Sequence, residues 1–211
     1  MAEPLLLPRL YAILDVGCFA PPLRTTADIV EYARQLAAGG VTMLQYRNKV
    51  GATGEVLEHA RELRRILGEG VTLIMNDRAD LCVAADLRGV HVGQHDLSPQ
   101  GARAVVGEAR ILGVSTHNLE QLKEADAGPA DYIGYGPIFA TSSKPDHDPV
   151  VGLEGIRPAR AATSKPLVAI GGITRTNARS VIEAGADSVA VISDLLSAPR
   201  RAAEEFLRRL A

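Results

Sequence analysis

The alternation of short β-type segments with amphipathic helical segments, repeated from one end of the chain to the other, most constrains the fold. The predicted strands cover residues 9–15, 41–46, 71–76, 89–93, 110–115, 131–136, 167–172 and 187–192. Helical periodicity follows each of them, and several helical segments begin at Ser, Thr, Asn or Asp and end near Gly, as capped helices do. Eight such units of about 26 residues predict a single α/β domain over residues 1–211, folded as a (β/α)8 TIM barrel. A doubly wound open sheet is the alternative, but a pattern without linker or change in composition favours the barrel.

Charge and cysteine content narrow the class of protein. The 211 residues carry a formal charge of -2, and the pI of about 6.2 excludes binding to nucleic acid or membrane through bulk positive charge. The only cysteines are Cys18 and Cys82, which fits a reducing compartment, although one bridge between them stays open. Neither a secretory signal nor an apolar run of the roughly 18 residues that span a bilayer is evident. We therefore expect a cytoplasmic protein that acts on small molecules, without nucleic-acid or membrane partners, and a homo-oligomer remains possible.

Polar residues recur where the predicted strands end. The runs are QYRNK at 45–49, NDR at 76–78, GQHD at 93–96, STH at 115–117 and TSSK at 141–144. In a barrel of parallel strands these ends meet at one mouth, which is where such folds carry their active sites. The shared position predicts one binding site and disfavours a set of unrelated surface loops.

Two parts of the sequence indicate a site for anions. Thr141, Ser142, Ser143 and Lys144 put three hydroxyls and a cation directly after the sixth strand, and an ordinary turn has no need of them. Gly171 and Gly172 allow close approach of the backbone to a ligand, and residues 192–193 are predicted to open the last helix, whose free N–H groups attract anions. Barrels often bind phosphate after strands seven and eight. The alternative is that the glycines serve only a tight turn.

Two carboxylates at neighbouring strand ends suggest a metal. Asp77 and Asp96 offer the hard oxygen ligands that Mg²⁺ prefers when water and phosphate complete its coordination. Each could instead cap a helix or pair with a base. With Arg47, Lys49 and Lys144 at the same rim, the set is more typical of a cradle for Mg²⁺ and diphosphate.

The histidines give weaker signals. His91 lies within a strand and is predicted to line the barrel. His59, His95 and His147 show no zinc-type spacing with cysteine. His117 follows a strand end and remains a candidate for acid-base chemistry.

The assembled motifs resemble those of the thiamine phosphate synthase family across nearly the whole chain. In the family's order they are YAILD, QYRNK, NDRADL, GVHVGQHD, LGVSTH, ADYIGYGPIFATSSK, AIGGIT and VIEAGADSVAVIS. The resemblance implies a transferase that joins 4-amino-5-hydroxymethyl-2-methylpyrimidine diphosphate to hydroxyethylthiazole phosphate, or to its carboxylated form. The products would be thiamine phosphate and diphosphate. It also implies a dissociative path assisted by Mg²⁺, in which the thiazole nitrogen captures a pyrimidine methylene cation and no protein nucleophile takes part.

The resemblance also assigns roles to residues of this chain. Mg²⁺ would be bound by Asp77 and Asp96, and the catalytic residues would be Arg47, Ser115 and Lys144. The substrates would be held by Gln45, Tyr46, Arg47, Asn48, Lys49, Asn76 and Ser115 on the pyrimidine side, by Lys144 at the departing diphosphate, and by Thr141, Ser142, Ser143, Gly172, Ile192 and Ser193 on the thiazole side.

Three other functions stay open. A thiazole tautomerase of similar fold would use His117 as its acid-base group, but it would not need Asp96 or the Ser-Ser-Lys run. An aldolase-like barrel would use Lys144 to form a Schiff base. A sensor would bind thiamine precursors without turnover.

Overall fold

The eight strands of the chain form a closed parallel barrel in sequence order, as seen in a computed structural model that describes residues 5–21, 24–141 and 148–211. The strands are β1 (Leu10–Asp15), β2 (Met43–Arg47), β3 (Thr72–Asn76), β4 (Gly89–Val92), β5 (Ile111–Thr116), β6 (Tyr132–Tyr135), β7 (Leu167–Ile170) and β8 (Ser188–Val191). Pairing of β1 with β8, from Leu10 opposite Val189 to Ala12 opposite Val191, closes the ring. The (β/α)8 prediction is confirmed, and each predicted strand lies within two residues of the observed one.

A helix follows every strand and packs on the outside of the barrel. The helices are α1 (Thr26–Ala38), α2 (Thr53–Leu67), α3 (Ala79–Ala84), α4 (Pro99–Val106), α5 (Leu119–Ala127), α6 (Ile156–Ala161), α7 (Ala178–Glu183) and α8 (Pro199–Leu210). Thr25 forms a capping box with Asp28, and the side chains of Ser98 and Asn118 accept hydrogen bonds at the starts of α4 and α5. These caps satisfy N–H groups that a helix leaves unpaired in its first turn. None of the helices among the described residues is both long enough and apolar enough to cross a membrane.

The end of the chain departs from the prediction. A single helix was expected over 194–210, opened by residues 192–193, but a 3₁₀ turn at Ser193–Leu195 comes first and α8 begins only at Pro199. Ala198 has a left-handed backbone with φ of 53°, which interrupts helical geometry. Pro199 can begin a helix but cannot donate the hydrogen bond that a helix interior requires. The prediction that residues 192–193 open the last helix is therefore wrong.

The core has two layers because successive side chains of a strand point to opposite faces. The larger layer lies between strands and helices and includes Leu10, Ala12 and Leu14 of β1. The smaller layer fills the barrel and consists of Tyr11, Ile13, Met43, Ile74, Tyr132, Val168 and Ala190. Gln45 and His91 are also buried, so the barrel interior is partly polar.

The amino ends of two strands are held by the same device. Asp131, just before β6, accepts hydrogen bonds from the Leu112 N–H at 2.7 Å and from Arg103 at 2.6 Å. Asp187, just before β8, does the same for the Leu167 N–H at 2.8 Å and for Arg160. These contacts join neighbouring strands at the face of the barrel opposite the predicted site, where such interactions serve stability.

We predict that Tyr32→Phe leaves the protein as stable or makes it more stable, by up to about 1 kcal/mol, because a buried hydroxyl without a partner is costly. The Tyr32 hydroxyl is buried and has no hydrogen-bond partner among the described residues, while its ring packs edge-on against Phe19 at 5.0 Å. Urea unfolding measures the change. Tyr46→Phe is the matched control, since its hydroxyl bonds to His59 at 2.8 Å, and it should lose about 1 kcal/mol. Equal losses in both variants would contradict the prediction.

Candidate active site

Side-chain contacts and strand pairing bring the carboxyl ends of the first five strands together at one mouth of the barrel. Arg47 contacts Asp15 across β1 and β2, and Lys49 lies 2.9 Å from Asp77 beyond β3. In the register of β3 with β4, Asn76 is paired with His91. Further along, His91 reaches Ser115 of β5. The structure thus brings together the residues that the sequence placed at strand ends, up to β5.

Asp15 is a site residue that sequence reasoning missed. It is buried at the end of β1, and its Oδ2 binds Arg47 Nη1 while its Oδ1 accepts the Gly17 N–H at 3.0 Å. In the β1–β2 register Asp15 lies opposite Arg47. The carboxylate therefore orients the guanidinium that was predicted to meet a diphosphate. A carboxylate that ends the first predicted strand was the signal available in the sequence.

The carboxyl groups of Asp77 and Asp96 interact with each other. Burial raises the pKa of Asp77, and a hydrogen bond and the charge of Asp96 raise it further, against the effect of Lys49. Burial opposes ionisation of Asp96, but hydrogen bonds from Asp77 and from the Gly93 N–H, with the charge of Lys49, lower its pKa. Two carboxylates so close that they compete for a proton would accept a cation between them.

The donor set fits Mg²⁺ better than a metal with a full protein cage. No group of three or more His, Cys, Asp or Glu side chains within the described parts of the chain could hold a metal. Two carboxylates are what Mg²⁺ takes from a protein when it keeps several waters or binds phosphate oxygens. The assignment of the ion to Asp77 and Asp96 stays a prediction, supported by this chemistry.

The side chains of the QYRNK run, residues 45–49, point in different directions. Gln45 is buried in the barrel, while Arg47 and Lys49 reach the mouth. Tyr46 points to the helix layer and bonds to His59 of α2. Asn48 builds the loop, because its Oδ1 accepts the N–H groups of residues 50 and 51 and its Nδ2 donates to Tyr46. The predicted substrate contacts of Tyr46 and Asn48 remain predictions, but both side chains have structural partners.

A chain of hydrogen bonds crosses the barrel interior. Gln45 Nε2 lies 3.0 Å from the Tyr11 hydroxyl, which lies 2.9 Å from the Tyr132 hydroxyl. The Tyr132 hydroxyl lies 2.9 Å from His91 Nδ1, and His91 Nε2 lies 2.7 Å from Ser115 Oγ. His91 lines the barrel as predicted. Sequence reasoning missed the two tyrosines, which read as ordinary aromatic core residues of β-strands.

The loop after β7 packs against the start of the loop after β6. Gly171 and Gly172 have φ of 99° and 63°, in the region that favours glycine. A Cβ on Gly172 would lie 2.5 Å from the Ala140 carbonyl oxygen and 2.7 Å from Phe139 Cβ. The glycines therefore permit close packing of two loops. This packing supports the alternative that Gly171 and Gly172 serve a tight turn. Phosphate binding by these glycines remains a prediction.

The predicted residues for the thiazole side are only partly described. Ile192 packs against the interior core, and Ser193 begins the 3₁₀ turn. Arg175 ties this turn to the loop after β7, since Asp194 accepts its backbone N–H at 2.7 Å and its Nη2 at 3.0 Å. Thr141 is described, whereas Ser142, Ser143 and Lys144 lie outside the described residues.

His117 has two partners next to the mouth. Its Nδ1 lies 2.7 Å from the Gly136 carbonyl oxygen, and its Nε2 lies 3.4 Å from Asp148 Oδ2. Since a carbonyl only accepts, Nδ1 is the donor. The side chain is thereby fixed in direction.

We predict that Gly172→Ala destabilises the protein by roughly 3 kcal/mol, because the methyl group meets the Ala140 carbonyl and the backbone is strained. Gly107→Ala is the matched control: its φ is 73°, but nothing lies within 4 Å of its Cβ position, so only the strain of about 1 kcal/mol remains. Urea unfolding of both variants gives the difference. Equal losses would show that the contact with Ala140 does not matter.

We predict that His91 makes stability depend on pH. Burial lowers its pKa from 6.5 to about 4, so between these values the unfolded chain binds more protons than the folded one. The free energy of unfolding then falls as pH falls from 6.5 to 4, by about 1.4 kcal/mol per unit and roughly 3 kcal/mol in total. Unfolding curves of wild type and His91→Gln, measured at a series of pH values, should converge toward low pH, and parallel curves would contradict the prediction.

Comparisons with known proteins agree with one another. A family model described as thiamine monophosphate synthase matches residues 10–195. A thiamine-phosphate synthase of Koribacter versatilis is 62% identical over 210 residues, which cover 100% of this chain and 99% of the relative. One from Chloroflexus aurantiacus is 45% identical, with 90% and 86% covered. The solved thiamine phosphate pyrophosphorylase of Pyrococcus furiosus has a TM-score of 0.84 and 34% identity, over 96% of this chain and 95% of that one.

Proposed function

The chain belongs to the thiamine monophosphate synthase family and is a transferase that forms thiamine phosphate, and from this premise we propose how its site works. It joins an aminopyrimidine methyl diphosphate to a thiazole phosphate, with Mg²⁺ held by Asp77 and Asp96 and with diphosphate as the leaving group. The observation that carries the proposal is the pair of ion contacts at the mouth, Lys49 with Asp77 at 2.9 Å and Arg47 with Asp15 at the adjoining strand end.

The charges at the mouth suit a diphosphate leaving group. Mg²⁺ bound to its oxygens would neutralise part of the negative charge that develops as the C–O bond breaks. Arg47 and Lys49 supply positive charge from the protein, and Asp15 and Asp77 hold them in place before substrate arrives. Cations fixed in advance stabilise developing charge without having to reorganise.

The serine-histidine pair that the described residues bring together in the site does not point to covalent catalysis. His91 Nε2 lies 2.7 Å from Ser115 Oγ, a distance at which a histidine can activate a serine. However, burial lowers the pKa of His91 to about 4, which makes it a weak base at neutral pH. Its other nitrogen faces the Tyr132 hydroxyl, where a catalytic triad has a carboxylate. This supports a path in which the thiazole nitrogen attacks the pyrimidine carbon and Ser115 only binds.

The proposal also covers the partners of the enzyme and the compartment in which it acts. Its partners are small-molecule substrates, and it acts in the cytoplasm. Both Cys18 and Cys82 are free, as suits a reducing compartment, and burial raises the pKa of the Cys82 thiol to about 12, which keeps it unreactive.

A thiazole tautomerase is the second candidate function, because His117 is held between the Gly136 carbonyl and Asp148 next to the mouth. Exchange of the thiazole proton with solvent deuterium, followed by NMR without pyrimidine diphosphate, would detect that activity. His117→Gln should abolish the exchange if the tautomerase reading holds.

The transferase proposal is tested with the purified protein, both substrates and Mg²⁺, with the product oxidised to a fluorescent thiochrome. We expect product that disappears with chelator. Asp77→Asn and Asp96→Asn should each lower kcat/KM on the order of 10²-fold and raise the Mg²⁺ concentration needed for half-maximal rate, because each removes an anionic ligand.

Asp80→Asn is the matched control. Asp80 is an exposed carboxylate three residues beyond Asp77 that pairs with Arg78 at 2.6 Å, so its loss should leave the Mg²⁺ response unchanged. If Asp77→Asn and Asp96→Asn respond to Mg²⁺ as wild type does, the ion binds elsewhere. If wild type forms product equally well with chelator, the metal has no part in the reaction.

A further inference from the structure

The barrel interior contains a series of polar side chains that are hydrogen-bonded to one another, the polar chain. Such barrels normally carry branched apolar side chains there. Gln45, Tyr11 and Tyr132 are less than 5% exposed and His91 is 8% exposed. Consecutive members lie 2.7–3.0 Å apart. Four different strands contribute before the chain reaches Ser115 on β5, so it runs across the barrel between two residues of the proposed pyrimidine site.

The chemistry of these side chains forces all hydrogen bonds of the polar chain to run in the same donor-to-acceptor direction. A neutral imidazole has one donor and one acceptor nitrogen, so His91 either donates to Ser115 and accepts from Tyr132, or does the reverse. A phenol that donates to one neighbour accepts from the other. The protons of Tyr11 and Tyr132 therefore follow the choice made at His91, and all four links point the same way along the chain.

The direction fixes what the two ends present to a ligand. Gln45 directs its Nε2 at Tyr11, and no hydrogen bond to a described residue uses its Oε1. With Gln45 as the first donor, Tyr11 donates to Tyr132, Tyr132 donates to His91 Nδ1, and His91 Nε2 donates to Ser115. Ser115 then keeps its own proton free. The site offers an acceptor at Gln45 and a donor at Ser115.

We propose that Tyr11 and Tyr132 are positioning residues that lock Gln45 as an acceptor and Ser115 as a donor, so that the site selects a 4-aminopyrimidine over its 4-oxo counterpart. The inference rests on the proposed function and on the family resemblance, which implies that Gln45 and Ser115 hold the pyrimidine. An aminopyrimidine offers an N–H donor beside a ring nitrogen acceptor. The 4-oxo ring reverses both, and a buried site that cannot reverse with it leaves polar groups unpaired, which is costly.

To reverse the direction of these hydrogen bonds, the protons of both tyrosines, His91 and Ser115 would have to move at the same time as the Gln45 amide turns over. A phenylalanine at either tyrosine position removes two of the four links and lets the ends choose their directions independently. Selectivity should then fall even though no residue that touches substrate has changed.

The first test compares wild type, Tyr11→Phe and Tyr132→Phe with 4-aminopyrimidine methyl diphosphate as substrate and its 4-oxo analogue as competitive inhibitor. The readout is the ratio of the inhibition constant of the oxo compound to the KM of the amino substrate. We expect this ratio to fall at least tenfold in both variants, with the KM for thiazole phosphate and the Mg²⁺ response unchanged. An unchanged ratio in either variant overturns the proposal.

Tyr135→Phe is the matched control. Tyr135 is buried on the same strand as Tyr132 but faces the helix layer, so this variant should keep the wild-type ratio. A fall in Tyr135→Phe as large as in Tyr132→Phe would mean that loss of either tyrosine hydroxyl on β6 lowers selectivity, and it would overturn the positioning role.

The second test needs no turnover. ¹⁵N NMR of the histidine side chains in substrate-free protein, with His91 assigned by His91→Gln, should show His91 protonated on Nε2 and unprotonated on Nδ1. Tyr132→Phe should lose that preference. A proton on Nδ1 in wild type overturns the proposal, whereas an Nε2 proton in a protein that forms no thiamine phosphate overturns only the proposed function.

Discussion

Closure of the sheet between β1 and β8 is the constraint on which the rest of the structure depends. Eight parallel strands that pair in sequence order leave no open edge, and they bring every strand's carboxyl end to the same mouth. Asp15, Arg47 and Asp77 are far apart in sequence, but the β1–β2 and β2–β3 registers make their strand ends neighbours. The site is thus a consequence of closure, and each loop has only to supply the right side chain.

The same closure makes a polar interior possible. Tyr11 and Tyr132 come from strands on different sides of the ring, and their rings meet edge-on at 5.9 Å. Tyr132 also stacks on His91 at 5.5 Å. An interior of this kind is stable only if each hydroxyl and each imidazole nitrogen has a hydrogen-bond partner. The hydrogen bonds from Gln45 to Ser115 provide these partners. The aromatic rings supply the apolar contact of the core, while their polar atoms link two residues at the mouth.

The fold could be read from the sequence because it depends on local periodicity and on the number of units, and both are visible in one chain. The candidate site could be read from strand ends alone. The contacts between side chains of different strands could not be read from the sequence, because the closed sheet sets the strand register. Nothing near Arg47 in sequence indicates that Asp15 is its partner. Nothing in YAILD or YIGY distinguishes Tyr11 and Tyr132 from ordinary core aromatic residues. The start of α8 was misread because amphipathic periodicity continues through Ala198 and Pro199, whereas the backbone does not.

Carboxylates hold the cations at the mouth, which reduces the net positive charge there but fixes the cations in position for a diphosphate. An unpaired guanidinium at a half-buried strand end would turn to solvent, and the ligand would have to supply the free energy needed to order it. Asp15 keeps Arg47 in place, and a substrate oxygen can meet the N–H groups that the carboxylate leaves free, because a guanidinium has five donors. Lys49 is held in the same way, 2.9 Å from Asp77. Its charge and that of a cation bound to Asp77 and Asp96 would therefore act on the same leaving group.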